Sequence, residues 1–349
     1  MVPAIDILAQ NSTRWSDFLW RISARTIHHP AFHAIRGKLP RLKNLEVFSC
    51  PSNGDIDQEA QSATGLDIFA ECPSLSSVQF SPDLTGGIQF PSAQIRSLGL
   101  RVSYTTKALR ILSGFPNIAS LELFRVGGGK ACQNHFISDL KRLLIKATDQ
   151  NDVSSILNHT TLQSLSVLQI SGVTEASAVG WEKWDSVPIK DFLLRSSCRV
   201  TTLHLCYLPI TSEQTISLLT LLPSLRELHV KERKVNNSCN KIVTGYLLES
   251  LQISFCHFAG DLRALIPRLT DLLLAVYPDD LNTDALMRVV TSRWLPDADD
   301  AAEAGIDCLR SIVIILRGEK LEAGENCKLS PLLDFRDAGL RVNIESSSS

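Results

Sequence analysis

One short phrase recurs along nearly the whole chain and limits what the chain can fold into. Each copy has a small or proline-containing step followed by three apolar residues, the first two separated by two variable residues and the last two by one. In residues 222–230 the step is Leu222-Pro223, and the apolar residues are Leu225, Leu228 and Val230. Similar phrases occupy residues 39–47, 72–80, 115–123 and 266–274, and weaker copies centre on Leu98, Leu165, Leu203, Leu251 and Ile312. The apolar-x-apolar step predicts a short strand whose alternate side chains are buried.

The spacing of the copies indicates a repeat architecture. Where they are best preserved, their middle apolar residues lie roughly 20 to 25 residues apart, the period of leucine-rich repeats. After the strand near Leu203, Pro209 predicts a turn, Ser212 can cap a helix, and the apolar residues of 216–222 supply that helix's buried side. We therefore predict an α/β fold: a right-handed leucine-rich-repeat solenoid, or horseshoe, with parallel strands on the concave face and helices on the convex face.

We expect a single solenoid over residues 1–345 and a disordered tail over 346–349. Larger gaps between copies predict irregular insertions near 49–70, 127–160, 172–198 and 277–307, each holding an extra helix or a surface loop. In the second insertion, the glycine-rich turn 127–129 precedes an amphipathic run with Phe136, Leu140, Leu143 and Leu144. In the last insertion, residues 283–294 read as a helix, and the acidic, small-residue segment 296–305 has little to bury and predicts a mobile loop.

Composition excludes several classes of function. The chain is 44% hydrophobic and 21% charged, and its net charge of −2 provides no general field for nucleic acid or anionic lipid. No stretch resembles a secretory signal or a membrane-spanning segment. The nine cysteines form no CxxC pair and predict buried thiols in a reducing compartment, the cytoplasm or nucleus.

Each sequence motif that could indicate a catalytic, nucleotide or metal site lacks residues that such a site requires. In the phosphate-loop pattern, the glycine-rich segment 127–129 before Lys130 would need a glycine at position 124 and a hydroxyl at 131. His28, His29 and His33 have no carboxylate or cysteine at ligand spacing, and Cys256 and His257 would point to opposite faces of a strand. We therefore expect no catalytic residue, no cofactor and no metal, and we predict that the protein is not an enzyme.

The remaining prediction is recognition of a protein partner by the open face of the strands. In each repeat the residue between the buried pair points to solvent, and each repeat adds one or two such residues to an extended surface. The predicted binding residues are Glu46, Gln79, Arg101, Glu122, Phe124, His204, Glu227, His229 and Gln252.

Three segments, residues 4–15, 191–203 and 332–342, carry a family resemblance. The chain resembles the C-terminal leucine-rich repeats of fungal, mushroom-type F-box proteins. In that family an N-terminal F-box binds a Skp-type adaptor of a cullin ubiquitin ligase, and the repeats present a substrate. This sequence shows no F-box, so we do not expect these residues alone to bind the adaptor. The resemblance leaves two interpretations open: the substrate-binding repeats of such a ligase subunit, or a truncated or free-standing repeat protein with no ligase role.

Overall fold

The structure is a computed structural model that describes residues 2–22, 33–49, 67–81, 88–102, 104–124, 135–172, 181–233, 241–255, 262–295, 297, 305–318 and 329–347. Most of the predicted insertion near 49–70, the glycine-rich segment 127–129, the Cys256-His257 pair and most of the acidic segment 296–305 lie outside this part of the chain.

The described residues form both α-helices and strands. The α-helices are α1 Val2–Gln10, α2 Thr105–Leu112, α3 Gln150–Asn158, α4 Val187–Ser196, α5 Ser212–Leu219, α6 Gly245–Leu251, α7 Thr283–Arg293 and α8 Pro331–Asp337. The strands are β1 Asp17–Ile22, β2 Asn44–Ser49, β3 Ser77–Phe80, β4 Ser97–Arg101, β5 Ser120–Phe124, β6 Phe136–Ile137, β7 Arg142–Ala147, β8 Thr160–Thr161, β9 Val167–Gly172, β10 Thr202–Cys206, β11 Glu227–Lys231, β12 Ser254–Phe255, β13 Leu262–Arg263, β14 Asp271–Val276, β15 Ser311–Arg317 and β16 Arg341–Ser347. Helices lie between most neighbouring strands of the parallel sheet from β4 onward, as the sequence predicts, whereas β1 to β4 follow one another without an α-helix among the described residues. The α/β class is therefore confirmed.

The chain divides into two compact units, one of residues 1–136 with 142–146 and one of residues 137–141 with 147–349. In the first unit β1, β2, β3, β4, β5 and β7 pair in that order, all parallel. In the second unit β9, β10, β11, β14, β15 and β16 do the same. The twelve parallel strands, six in each unit, carry the core and the open face.

A recurring backbone contact sets the register of these strands. The two amides at the start of a strand both donate to one carbonyl of the preceding repeat: Arg226 and Glu227 donate to Thr201 O at 2.8 and 2.9 Å, and Thr270 and Asp271 donate to Arg226 O at 2.8 and 3.0 Å. Because each repeat enters its strand through the same contact, equivalent apolar residues stack in line. The stack in the second unit is fully buried and comprises Leu168, Leu203, Leu228, Leu272 and Ile312.

The predicted alternation of buried and outward residues is confirmed in the second unit. Leu203, Leu205, Leu228, Val230, Leu272 and Leu274 are all buried on strands of the sheet. Leu251 and Ile253 are buried as well, but Leu251 ends helix α6 and Ile253 lies just after it, so the strand predicted for this pair is wrong. His204 and His229, which lie between members of this set, are half-buried on the other side. A pleated strand of period two therefore accounts for β10, β11 and β14.

Several boundaries differ from the prediction. Residues 142–147 form strand β7 rather than an irregular insertion, because Leu140, Leu143 and Ile145 repeat the phrase and are buried. The copy assigned to Leu165 centres three residues later, on Leu168, which lies opposite Leu203. Strand β16 runs to Ser347, so residues 346 and 347 pair with β15 instead of starting a frayed tail. The cap of α5 is Thr211, one residue before the predicted Ser212.

One repeat has a helix but adds no strand to the parallel sheet. Strand β11 pairs directly with β14, while the connection over 232–270 contains α6 and the short antiparallel pair β12–β13. The buried guanidinium of Arg293 on α7 stabilises this connection by donating to Leu251 O at 2.6 Å and to Ile266 O at 3.0 Å. Burial lowers the pKa of Arg293 to about 10. Because Leu251 is the last residue of α6, the first of these bonds satisfies a carbonyl that the end of a helix leaves without a partner in the helix.

Candidate functional site

In the first unit, the centre of the open face brings three predicted residues into one row. The row runs from Glu46 on β2 to Gln79 on β3, Gly99 on β4 and Glu122 on β5. Gln79 lies across Gly99, where an added Cβ would stand 2.6 Å from Gln79 Cγ. The glycine therefore makes room for the glutamine side chain, while Glu46 remains exposed.

Next to this row, two aromatic and two cationic side chains interleave. The Arg101 guanidinium lies 4.8 Å from the ring centroid of Phe48 and 5.6 Å from that of Phe124. Lys146 Nζ lies 4.4 Å from the Phe124 centroid and 2.8 Å from Glu122 Oε1. These distances are in the range of cation–π attraction, to about 6 Å. We call Phe48, Arg101, Glu122, Phe124 and Lys146 the Arg101 cluster.

The charges of the Arg101 cluster are not balanced within it. Glu122 forms an ion pair with Lys146, whereas Arg101 is exposed and forms no ion pair with a carboxylate in the part of the chain that the structure describes. The two phenyl rings limit the conformations of Arg101 and leave its charge available. The cluster is therefore a preorganised cationic surface with apolar flanks.

In the second unit, strands β10 and β11 bring together His204, Glu227 and His229. The histidines are opposite each other in register, and their rings stack with centroids 4.1 Å apart and an interplanar angle of 14°. Glu227 precedes His229 by two residues and shares its face, and the ligand atoms of the three side chains all lie within 4.8 Å of one another. Burial lowers the pKa of His229. We call these three residues the histidine cluster.

Two neighbours orient the histidine cluster. Gln169 Oε1 on β9 lies 3.1 Å from His204 Nδ1, and Thr202 Oγ1 donates to Glu227 Oε2 at 3.2 Å. On the other side of His229 the same register row continues with Leu273 and Val313, both half-buried. On the open face of this unit, the side chains of this row are therefore polar on β9 to β11 and apolar on β14 and β15.

The predicted position of Gln252, facing outward on a strand, is wrong, because this residue is not on a strand of the sheet. Gln252 is the C-cap of α6, and its Nε2 atom is buried. The apolar pair Leu248 and Leu251 has a spacing of three residues, which suits a helix as well as the repeat phrase. Thr244 caps this helix by accepting from Leu247 N at 3.3 Å, and helix formation takes the segment out of the sheet.

Sequence reasoning missed Phe48, Lys146 and Gln169, which the structure places in contact with predicted residues. Lys146 was missed because β7 was taken for an insertion. Gln169 was missed because the phrase around it was centred three residues too early. In both cases the repeat phrase, correctly aligned, would have identified the residue, because each lies next to a buried apolar residue of the phrase: Lys146 next to Ile145 and Gln169 next to Leu168.

The described thiols are poor candidates for nucleophiles. Burial raises the pKa of Cys72 to about 11 and also raises the pKa values of Cys198 and Cys206. A protonated thiol is a weak nucleophile, and the buried Cys72 and Cys206 function as small apolar residues of the core.

No protein-family model matches the chain, and no curated protein matches it. The resemblance to F-box repeats therefore stays a prediction. Within the described residues, no helix combines the length and the apolar character that crossing a membrane requires.

Proposed function

We propose that the protein is a non-enzymatic recognition scaffold, built as a leucine-rich-repeat solenoid, that binds a partner protein on the open face of its strands. The stacked apolar residues and the regular strand register support the repeat architecture. The observation that carries the function is the Arg101 cluster, where a guanidinium without an ion-pair partner among the described residues lies between two phenyl rings on the open face of the sheet.

The composition of the Arg101 cluster favours a partner segment that is acidic and contains apolar residues. Arginine and aromatic residues dominate the binding energy of protein interfaces, because they combine a large contact area with directional polar groups. Arg101 would form a bidentate ion pair with a partner carboxylate, and Phe48 and Phe124 would cover the apolar side chains beside it. Restriction of Arg101 before binding reduces the entropy lost on association.

Truncation of the cluster tests this function. The wild-type chain and the variants Arg101→Ala and Phe124→Ala are used to capture proteins from a lysate, and captured candidates are purified and titrated in a two-component assay. Arg110→Ala is the matched control, since Arg110 is an exposed arginine on helix α2 of the same unit. We expect Arg101→Ala to weaken binding at least tenfold, about 1.4 kcal/mol, and Arg110→Ala to leave it unchanged. Equal affinities for wild type and Arg101→Ala would refute the proposed surface.

The same proposal includes the relation to ubiquitin ligases. By resemblance, the open face would select a substrate, while adaptor binding requires an F-box that these 349 residues do not show. We expect no binding between this chain and a purified Skp-type adaptor, and binding at micromolar or lower Kd would mean that the chain contains an adaptor site.

We also propose that the protein functions in the cytoplasm or nucleus. The four described cysteines, Cys72, Cys198, Cys206 and Cys308, are all free thiols, as is typical of a reducing compartment.

A further inference from the structure

The histidine cluster has a chemistry that the proposed protein-binding surface does not use. Two imidazoles and a carboxylate come from adjacent parallel strands, and their ligand atoms lie within 4.8 Å of one another. We infer that His204, Glu227 and His229 bind one divalent transition-metal ion, with zinc as the expected species.

The donor set selects the class of ion. Calcium and magnesium prefer oxygen ligands, whereas imidazole nitrogen suits zinc and its transition-metal neighbours. Three protein ligands, two from histidine and one from a carboxylate, are sufficient for a four-coordinate zinc ion with one open position. That position lies on the open face of the sheet, where water or a side chain of a bound partner can complete the coordination.

Hydrogen bonds from neighbouring side chains orient two of the three ligands. With Gln169 Oε1 facing Nδ1 of His204, the ring donates its proton from Nδ1 and carries its lone pair on Nε2, the tautomer needed for ligation through Nε2. The hydroxyl of Thr202 donates to one oxygen of Glu227 and leaves the other oxygen to bind the ion. Outer hydrogen bonds of this kind orient ligands in established metal sites.

Metal binding requires a small rearrangement of the stacked rings. Zinc–nitrogen bonds of about 2.0–2.1 Å in a tetrahedron place two ligating nitrogens about 3.3 Å apart and direct their lone pairs toward one point. The parallel rings, 4.1 Å apart, must therefore tilt toward each other. Both histidines are half-buried on the open face, so rotation about the side-chain torsions leaves the core unchanged.

The surrounding charges are compatible with a divalent ion. Lys231 follows His229 by two residues on β11, and Asp271 lies opposite Glu227 on β14. Asp271 is 3.5 Å from Arg341, which is exposed. Two carboxylates, Glu227 and Asp271, and two cations, Lys231 and Arg341, thus lie in or near the cluster, and the carboxylate within the cluster, Glu227, is the one that would bind the ion.

Zinc titration of the purified chain tests the site. The chain is treated with a chelator, dialysed, and titrated with Zn²⁺ in competition with a chromogenic chelator. We expect one equivalent to bind to the wild type and at least tenfold weaker binding in Glu227→Gln and His229→Gln. His33→Gln is the control, because His33 is an exposed histidine in the first unit. Urea unfolding of each apo variant shows whether the fold is retained.

Cobalt provides a second readout that separates this site from the cysteines and requires no variant. Co²⁺ bound by the histidine cluster shows visible d–d bands without a thiolate-to-cobalt charge-transfer band. The inference is overturned if the wild type binds no equivalent of Zn²⁺, if Glu227→Gln and His229→Gln bind it as tightly as the wild type, or if the bound cobalt shows thiolate ligation.

Discussion

Truncation of Leu228 gives a direct measure of the stacked core. This side chain is fully buried on β11 and is aligned with Leu203 on β10 and Leu272 on β14. Replacement by alanine removes contacts on both sides of the strand. The matched control is Leu273→Ala, which makes the same chemical change on the open face, at a half-buried position of the neighbouring strand.

The expected magnitudes follow from the two environments. Burial of a leucine side chain contributes about 1.5–3 kcal/mol, and truncation in a core adds a cavity term, for a total of about 2–5 kcal/mol. Because the paired strands β10 and β14 restrict collapse around Leu228, we expect Leu228→Ala to lie in the upper half of this range, at about 3–5 kcal/mol. Water can fill the space left by Leu273→Ala, and partial burial predicts a loss of about 1 kcal/mol.

Urea unfolding followed by circular dichroism measures both free energies. The midpoint should fall strongly in Leu228→Ala and slightly in Leu273→Ala, with similar slopes in both variants. A loss in Leu273→Ala that equals or exceeds the loss in Leu228→Ala would refute the assignment of the two faces.

Three further predictions use the same unfolding assay. Thr211→Ala removes the capping box of α5 and should cost about 1 kcal/mol, whereas Thr211→Ser, which keeps the hydroxyl, should cost less; equal losses would exclude a capping role. Gly172→Ala places a Cβ 2.8 Å from Tyr207 O and should cost about 1–3 kcal/mol; an unchanged midpoint would show that the strand ends adjust freely. Burial raises the pKa of Glu232 above its usual value of 4.5, so between pH 4.5 and the higher pKa of the folded state the folded protein keeps a proton that the unfolded chain releases. This group therefore lowers the free energy of unfolding as the pH rises through that range. Glu232→Gln should remove this contribution; identical pH profiles for variant and wild type would contradict it.

Much of the sheet could be predicted from the sequence because the repeat phrase combines a local turn with a period-two apolar step. Leu45, Val78, Leu98, Leu121 and Leu203 lie on strands as predicted. The phrase fails where its spacing also suits a helix. Leu248 and Leu251 are such a case: a capping threonine upstream favours α6, and the strand is lost.

The candidate site was only partly predictable, for a different reason. Alternation along a strand indicates which residues face outward, and it identified Arg101, Phe124, His204 and His229. Contacts across strands depend on register, which is fixed by the backbone bonds between repeats rather than by either strand alone. Predicting the cation–π contact of Lys146 required the knowledge that β7 is a strand. Predicting the histidine cluster required the knowledge that β10 and β11 pair in the register that places His204 opposite His229.

The direct pairing of β11 with β14 has a consequence for binding. The connections over 207–226 and 232–270 differ greatly in length, yet Leu203, Leu228 and Leu272 remain aligned. The described part of the longer connection adds α6 and the pair β12–β13 but no strand between β11 and β14, so neighbouring strands in this unit keep a separation of about 4.8 Å. An extended ligand that crosses these strands therefore meets side chains at even distances, although those residues are unevenly spaced in the sequence. Insertions into such connections can lengthen the protein without changing the distances between the side chains that contact the ligand.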